Sequence, residues 1–402
     1  HWGGWMVESL RRLPLGTVSI KIGSGATPRG GKSVYARIGV CFIRSQNVVD
    51  NHFEQAGLAH IDDAAAAALG GVDVREGDVL LNITGDSVAR CCLAPATAIP
   101  GRVSQHVMIV RPDPSVVVSR YLQALLTEPI MKSRLLALAS AGATRPALTK
   151  AHVASLQIDL PPLSEQRAIA EVLGALDDKI EADLKAIERC ERLSQALVSI
   201  APVGGSLGDF TSIDRRMRWP AAFARADVAH FSLPAFDTAR LPELVPGSSI
   251  KSGKLLLDRP AVLVSKLNPH IPRVWMAVPE IERVSLTSTE FVVLVPRMDV
   301  AVEVLWALCS EPRFCAGLEE RVKGTTGSHQ RVAAEDVMSI GVADPTAFSF
   351  AQFDIVKSAV RLALTLRRAS VTLASVRDAL LPGLLSGQLR VRKAEGLVGE
   401  TL

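Results

Sequence analysis

The sequence predicts a mixed α+β protein with a pseudo-twofold internal repeat, in which two globular domains are separated by a long antiparallel two-helix coiled-coil spacer. Three observations support this prediction. The chain has 402 residues, which is more than one ordinary core needs. Short motifs recur along it in the same order, and two long segments carry apolar residues at alternating three- and four-residue spacing.

The repeat consists of matched motifs at a nearly constant spacing. The run HVMIVRP from His106 matches EFVVLVP from Glu290, and 290 − 106 = 184. Glu128-Pro129 matches Glu311-Pro312, and 311 − 128 = 183. The runs DVLLNI at 78–83 and AVLVSK at 261–266 also match, as do the loops GATR and GTTGSHQR. These four matches, together with a long helix at the end of each half, recur in one order and predict two copies of one folding unit.

Each copy is predicted to begin with short strands and to end in a long helix. In the first copy, strand-like runs at 40–44, 78–83 and 107–111 are separated by Gly, Pro and Asn. A helix is predicted over about 119–138, followed by a loop at 141–148 and a strand ending at Leu160. Pro161 and Pro162 then interrupt the chain before the long helix.

The two long helices are predicted over about 164–199 and 350–381. Each apolar stripe would suit docking onto its own domain, but two stripes at matched positions favour pairing of the helices with each other. A helix of about 35 residues is about 50 Å long, so the pair could serve as a spacer. The residues predicted for the spacer and for partner docking are Leu163, Ile169, Leu173, Leu176, Ile180, Ile187, Leu362, Leu366, Leu373, Val376 and Leu380.

Composition narrows the class of protein without naming it. Hydrophobic residues make up 48% of the chain and charged residues 21%, and the formal net charge of +4 permits a nucleic-acid partner. No run reaches the roughly 18 apolar residues of a membrane helix. Six scattered cysteines without a CxxC pair indicate a reducing compartment, so we expect a cytoplasmic protein.

The motifs of catalysis are incomplete in this sequence. The glycine-rich stretch at 23–33 has Ala26 where a phosphate-binding loop needs glycine. The run DLPPL at 159–163 lacks the aromatic residue with which an amino-methyltransferase stacks a flipped base. The histidines show no HxxxH spacing for a metal. We therefore expect no active site, no metal and no cofactor on this chain.

Several motifs resemble those of one known family, the specificity subunits of type I restriction–modification systems. The segment LPPLSEQRAIAEVLGALDDKI at 160–180 is similar to the central conserved region of that family. RSQNV from Arg44, DVLLNITGDSVAR from Asp78, PGRVSQHV from Pro100, RPALTK from Arg145 and the tail DALLPGLLSGQLRV also resemble it. The second half departs from the pattern, because LNPHIPR follows AVLVSK where NITGDSV would be expected.

The resemblance implies a DNA-binding subunit that reads a bipartite target and has no catalytic role. The implied partners are double-stranded DNA, two methyltransferase subunits that carry S-adenosylmethionine, and restriction motor-nuclease subunits. The implied segments are target-recognition domain 1 at 7–160, the central conserved spacer helix at 161–202, the diverged target-recognition domain 2 at 203–347, the C-terminal conserved spacer helix at 348–392, and a tail at 393–402.

Polar loops in both halves carry the residue types that recognise DNA. Arginine can contact guanine through two donors, and asparagine or glutamine can contact adenine through a donor and an acceptor. Each such residue could equally be a solvated loop position or a turn cap, and most DNA contacts are expected at phosphates. The predicted DNA-binding residues are Arg44, Ser45, Gln46, Asn47, Asn82, Thr84, Arg90, Arg102, Gln105, Arg145, Lys266, Asn268, Arg273, Thr325, Thr326, His329, Gln330 and Arg331.

Two other classes of protein stay open on sequence alone. A DNA methyltransferase with its own catalytic site would bind S-adenosylmethionine as an isolated chain. A non-catalytic coiled-coil adaptor would retain no DNA in a sequence-dependent manner, and substitution of Arg44 or Arg145 would then leave DNA retention unchanged.

A spacer of paired helices makes the distance between half-sites depend on helix length. We expect lengthening or shortening of the spacer to change the gap tolerated between the two half-sites without changing the bases that are read, because recognition elements one DNA turn apart lie about 34 Å from each other. Selection of bound sites from a random DNA library checks this, and an unchanged gap would contradict it.

Overall fold

The computed structural model describes residues 10–141, 145–297, 300–322 and 330–399. These residues form two compact units. Unit 1 contains the described residues up to Glu181 and from Thr372 onward, and unit 2 contains Ala182–Val371. The predicted mixed α+β class is confirmed. The five segments predicted from the motifs divide the chain at other positions than these two compact units, and they stay a prediction.

The strands are short in both units. In unit 1 they are β1 (Arg11–Pro14), β2 (Ser19–Ser24), β3 (Tyr35–Ala36), β4 (Val40–Ile43), β5 (Val48–Val49), β6 (His52–Phe53), β7 (Ala59–Ile61), β8 (Asp73–Val74), β9 (Val79–Asn82), β10 (Cys91–Leu93), β11 (Gly101–Val103), β12 (Val107–Pro112) and β13 (Gln157–Leu160). In unit 2 they are β14 (Val203–Ser206), β15 (Thr211–Asp214), β16 (Met217–Arg218), β17 (Asp227–Phe231), β18 (Glu243–Pro246), β19 (Lys254–Leu256), β20 (Ala261–Ser265), β21 (Val274–Ala277), β22 (Val284–Thr287), β23 (Phe291–Pro296) and β24 (Gly341–Ala343).

The α-helices are α1 (Asp63–Ala68), α2 (Ser119–Thr127), α3 (Pro129–Ser140), α4 (Lys150–Ala154), α5 (Leu163–Ser199), α6 (Leu207–Phe210), α7 (Leu233–Ala239), α8 (Val302–Ser310), α9 (Pro312–Glu320), α10 (Ala334–Met338), α11 (Phe350–Leu385) and α12 (Val391–Gly399). The boundary between the units falls inside α5 and α11, so each unit contains a segment of both long helices. None of the helices among the described residues has both the length and the apolar character needed to cross a membrane.

Two sheets form the framework of unit 1. One has the strand order β10-β9-β12-β2 and is antiparallel, and the other has the order β3-β7-β4-β11-β8 with β4 and β11 parallel. Leu81 of β9 is buried in the core shared with α2, α3 and the long helices, whereas Leu80 is buried in a second core with Ile43 and Val103. Because successive strand residues point to opposite faces, β9 is apolar on both faces and the alternation expected of a half-exposed strand is absent.

Unit 2 has nearly the same strand arrangement. Its four-stranded sheet has the order β15-β23-β20-β21, which is the order of β2, β12, β9 and β10 in unit 1. Its five-stranded sheet has the order β16-β19-β22-β17-β18, again with one central parallel pair, β17 and β22. The fifth strand differs, because β3 extends the sheet beside β7 whereas β16 extends it beside β19.

The helix predicted over 119–138 is wrong as a single element. The structure has α2 and α3 instead, separated at Glu128-Pro129. Pro129 lacks the N–H that a continuous helix needs, and it occupies the first turn of α3. The Glu128 carboxylate caps this helix by accepting a hydrogen bond from the Met131 N–H at 2.8 Å. The matching pair Glu311-Pro312 also separates α8 from α9, with Pro312 in the first turn of α9, but the Glu311 side chain makes no capping hydrogen bond.

The long helices run antiparallel within unit 1. Asp177 of α5 accepts a hydrogen bond from Arg377 of α11 at 2.9 Å, and farther along, Ile169 lies beside Leu384 and Leu385. Burial raises the pKa of Asp177, and the hydrogen bond and positive charge of Arg377 partly oppose this shift. Of the predicted stripe, Ile169, Leu173, Leu176, Leu373 and Leu380 are buried, Ile180 and Val376 pack against this core, and Leu163 is half-buried.

The same two helices also pair within unit 2. Glu191 of α5 accepts a hydrogen bond from Arg367 of α11 at 2.7 Å, and Val198 shares a core with Val356 and Val360. The predicted residue Ile187 is buried and Leu366 is half-buried. Leu362 is wrong as a seam residue, because it is 48% exposed while Ala363 beside it is 5% exposed.

The ion pair between Asp177 and Arg377 predicts strong coupling between α5 and α11. Their side chains are only 16% and 15% exposed. The single substitution R377M leaves the buried Asp177 carboxylate without its hydrogen-bonded ion-pair partner and should lower the free energy of unfolding by about 3 kcal/mol. The double variant D177L/R377M should lose much less, because it removes both charges together.

Urea denaturation of both variants measures this difference. R192M is a matched control, because the ion pair that Arg192 forms among the described residues is an exposed one with Glu188, and its loss should cost less than about 0.5 kcal/mol. Equal losses in R377M and R192M would contradict the coupling.

Candidate nucleic-acid interface

The loop after β4 is held by two buried amides. Asn82 lies at the end of β9 and is fully buried, and its Nδ2 donates to the carbonyl oxygens of Ser45 at 2.9 Å and Val48 at 3.1 Å. Asn47 is also fully buried; its Oδ1 accepts from the Arg44 N–H at 3.0 Å and its Nδ2 donates to the Glu54 carbonyl oxygen at 3.0 Å. These bonds fix the loop backbone independently of its exposed side chains.

An open groove in unit 1 lies between this loop, the turn after β9 and the turn before β12. It has an empty volume of about 800 Å³ and is lined by Ser45, Gln46, Thr84, Gly85, Asp86, Ser87, Arg90 and His106. Four predicted residues from two separate motifs, Ser45, Gln46, Thr84 and Arg90, therefore lie together on one surface. The left-handed φ of +74° at Gly85 gives the turn after β9 its shape, and glycine adopts this φ without strain.

A chain of hydrogen bonds orders the polar side chains at the edge of the groove. Thr84 Oγ1 lies 2.7 Å from His106 Nδ1, and His106 Nε2 lies 3.0 Å from Gln105 Nε2. Thr27 donates from its Oγ1 to Gln105 Oε1. Because an amide nitrogen only donates, His106 Nε2 is the acceptor in this arrangement and Nδ1 carries the proton.

Sequence reasoning selected Gln105 but missed His106 and Thr27. The motif PGRVSQHV contained the signal for His106, since an exposed His follows the predicted Gln immediately before a buried strand. No comparable sequence signal singled out Thr27, because its contact with Gln105 joins residues far apart in the chain.

The groove combines the donors and acceptors that base edges require. Arg90 is exposed and makes no side-chain hydrogen bond or ion pair with any residue that the structure describes. Gln46 and Gln105 are exposed amides, and Asp86 is an exposed carboxylate that could accept a hydrogen bond from a cytosine amine. A free guanidinium beside ordered amides suits recognition of guanine and adenine, or attachment to phosphates.

Other predicted residues of unit 1 have structural roles or lie elsewhere. Direct DNA contact by Asn47 and Asn82 is wrong, because both side chains are 0% exposed and bind backbone carbonyls. Arg102 is half-buried and donates from Nε to the Ala66 carbonyl oxygen at 3.0 Å. Arg44 donates from Nη2 to the Gly57 carbonyl oxygen at 2.8 Å. Arg145 is exposed, and its contact with DNA stays a prediction.

Backbone hydrogen bonds identify the corresponding positions in unit 2. The Asn82 N–H donates to the Arg90 carbonyl oxygen at 2.9 Å, and the Ser265 N–H donates to that of Arg273 at 3.0 Å. The offset is 273 − 90 = 183. The position of Arg273 in unit 2 is therefore that of Arg90 in unit 1.

A second pair of backbone bonds extends this correspondence. The Ile83 N–H donates to the His106 carbonyl oxygen at 3.0 Å, and the Lys266 N–H donates to that of Glu290 at 2.8 Å. Asn268 has a left-handed φ of +49° two residues after Lys266, as Gly85 does two residues after Ile83. We call these backbone hydrogen bonds and the left-handed turn the frame of the groove. The frame is the same in both units, and Glu290 occupies the position of His106.

The predicted residues of unit 2 are mostly engaged within the unit. Arg273 pairs with Asp237, and Arg331 pairs with Glu290 at 2.9 Å. Lys266, Asn268 and Gln330 are half-buried, and the Gln330 carbonyl oxygen accepts from the Asn268 N–H at 2.9 Å. The predicted residues Thr325, Thr326 and His329 lie outside the described residues.

The comparisons with known proteins agree with this fold. Residues 74–189, which include Thr84, Arg90 and His106, match the type I restriction modification DNA specificity domain. The chain is 26% identical over 160 residues to the type I restriction enzyme HindI specificity subunit of Haemophilus influenzae, covering 39% of this chain and 34% of that protein. It is 41% identical over 63 residues to a protein assigned as the type I restriction enzyme MjaX specificity subunit of Methanocaldococcus jannaschii, covering 16% and 15%.

Solved structures extend the similarity of fold to nearly the whole chain. The type I restriction–modification system S subunit from M. genitalium matches with a TM-score of 0.55 and 12% identity, covering 95% of this chain and 96% of that one. The fold is therefore that of an S subunit. The resemblance seen in the motifs is confirmed over residues 74–189, which match the specificity-domain family, and over the fold, which is similar to that of an S subunit. The aligned regions span about a third or less of the length of each of these two curated relatives.

The buried amide of Asn82 predicts a measurable role in stability. Replacing it in N82L leaves the buried Val48 carbonyl without its side-chain donor, and the free energy of unfolding should fall by about 2 kcal/mol. Urea denaturation measures this change. The control is Q55A, which removes an exposed hydrogen bond to Thr97 and should cost less than about 0.5 kcal/mol. An N82L variant as stable as Q55A would contradict the role of Asn82.

Proposed function

We propose that this chain is the sequence-specific DNA-binding subunit of a type I restriction–modification complex. The observation that carries the proposal is the groove of unit 1. There, exposed amides and His106 converge on one surface with Arg90, whose side chain has no partner in the part of the chain that the structure describes. Most of that groove lies inside the matched specificity domain. The proposed target is bipartite, because unit 2 repeats the frame of the groove with different side chains.

The proposed subunit has no catalytic role of its own. In this proposal two methyltransferase subunits dock on the chain and carry S-adenosylmethionine, and motor-nuclease subunits join through them. This assembly would work in the cytoplasm, where the target DNA is. The chemistry that the groove supports is recognition, since its side chains supply hydrogen-bond donors and acceptors on an open surface.

Substitution of Arg90 tests the proposal. R90Q removes the free guanidinium, and loss of a guanine or phosphate contact should weaken retention of target DNA about 5- to 100-fold. The chain would be co-expressed with the type I methyltransferase subunit of its own genome in a methylation-deficient host. Sequencing that detects methylated adenine then measures how completely the target sites are modified.

The matched control is R134Q, because Arg134 is exposed on α3 and does not line the groove. We expect R134Q to modify the same sites to the same extent as the unaltered chain. The proposed function would be wrong if the chain directs no adenine methylation to defined sites, or if the isolated chain itself binds S-adenosylmethionine and methylates DNA. If R90Q and R134Q changed the extent of methylation equally, the groove would not be the surface that recognises DNA.

A further inference from the structure

The equivalent arginines of the two units differ in their surroundings. Arg90 is exposed and has no side-chain partner among the described residues. The side chain of Arg273 is only 12% exposed, although its backbone occupies the same place in the frame. Its Nε donates to Asp237 Oδ1 at 2.7 Å and its Nη2 donates to Asp237 Oδ2 at 2.9 Å. Two parallel charge-assisted bonds of this kind hold a guanidinium in one orientation.

Asp237 comes from an element that unit 1 does not have at this place. The Ser104 N–H donates to the carbonyl oxygen of Ile43 at the end of β4, and the Ser288 N–H donates to that of Phe231 at the end of β17. The residues after these two strands therefore correspond. In unit 1 they form the short loop that contributes Ser45 and Gln46 to the groove, whereas in unit 2 they form α7, which carries Asp237.

The position of α7 is fixed by packing. Ser232 caps the helix by accepting a hydrogen bond from the Ala235 N–H at 3.1 Å. Phe236, the residue before Asp237, contacts Trp275 edge-on with ring centroids 5.6 Å apart, and Phe231 lies 4.9 Å from the same ring. Asp237 is therefore placed beside Arg273 by a buried aromatic cluster, and the pair does not depend on a mobile surface side chain.

We propose that Asp237 is a positioning residue that withholds Arg273 from DNA, so that unit 2 contributes one cationic contact fewer than unit 1. The inference rests on the proposed function. It adds that the two units bind the DNA backbone with different numbers of positively charged side chains. A phosphate or a guanine would have to displace the Asp237 carboxylate before it could bind Arg273. The pair of Arg331 with Glu290 is more open, with side chains 56% and 30% exposed, and opposes DNA binding less.

The salt dependence of DNA binding tests this inference. The full chain, alone and with its co-expressed methyltransferase subunit, would be titrated with a fluorescent 30-base-pair duplex of mixed sequence at several salt concentrations. Each cation bound to a phosphate adds about 0.9 to the slope of log K against log salt. We expect R90Q to lower the slope by about 1, R273Q to leave it unchanged, and D237N to raise it by about 1. D237N/R273Q should return to the slope of the unaltered chain.

E335Q controls for the change in net charge, because the partner of Glu335 among the described residues is the exposed Arg215. It should shift the slope by much less than D237N does. Thermal unfolding would confirm that each variant is folded. A lowered slope in R273Q would overturn the inference even if D237N failed to fold, since it would show that Arg273 already binds DNA. An unchanged slope in folded D237N would also overturn it. Absence of DNA binding by the unaltered chain would instead count against the proposed function.

Discussion

The antiparallel pairing of α5 with α11 is the interaction on which the rest of the structure depends. Unit 1 does not complete its core from one continuous stretch of sequence, because Leu373, Leu380 and Leu384 of α11 are buried in it. Unit 2 is continuous, and its core joins the α5 and α11 segments at its two ends, where Val198 packs with Val356 and Val360. Buried ion pairs lie in the seam of both units. Such pairs contribute little net stability, but they disfavour any register that leaves a charge unmatched.

The elements with long periodic patterns could be predicted from sequence, and those decided by tertiary contacts could not. Both long helices and the repeat follow from apolar stripes and matched motifs. The interruption at Glu128-Pro129 was present in the sequence, but its meaning depends on a cap that forms only when the chain turns there. The seam at Leu362 is a different case. There the stripe suggested burial, whereas the neighbouring Ala363 and Val360 pack inward and rotate Leu362 toward solvent.

The candidate site was predictable as a set of loops but not as a set of side chains. Asn47 and Gln46 are adjacent amides with the same chemistry, yet one is fully buried and the other exposed. The difference arises because Asn47 faces the Arg44 N–H and the Glu54 carbonyl, which come together only after β5 and β6 pair. Composition identifies residues able to contact DNA, and strand pairing decides which of them remain available.

A frame built from backbone hydrogen bonds explains how the two units can share a shape and differ in chemistry. The bonds that define the positions of Arg90 and Arg273 involve only main-chain groups, so side chains at those positions can change without loss of the frame. Gly85 and Asn268 both tolerate the left-handed conformation that the turn needs. His106 and Glu290 share a position but present an imidazole and a carboxylate. The imidazole joins a chain of hydrogen bonds with Thr84 and Gln105, whereas the carboxylate pairs with Arg331, so one backbone frame carries different polar chemistry in the two units.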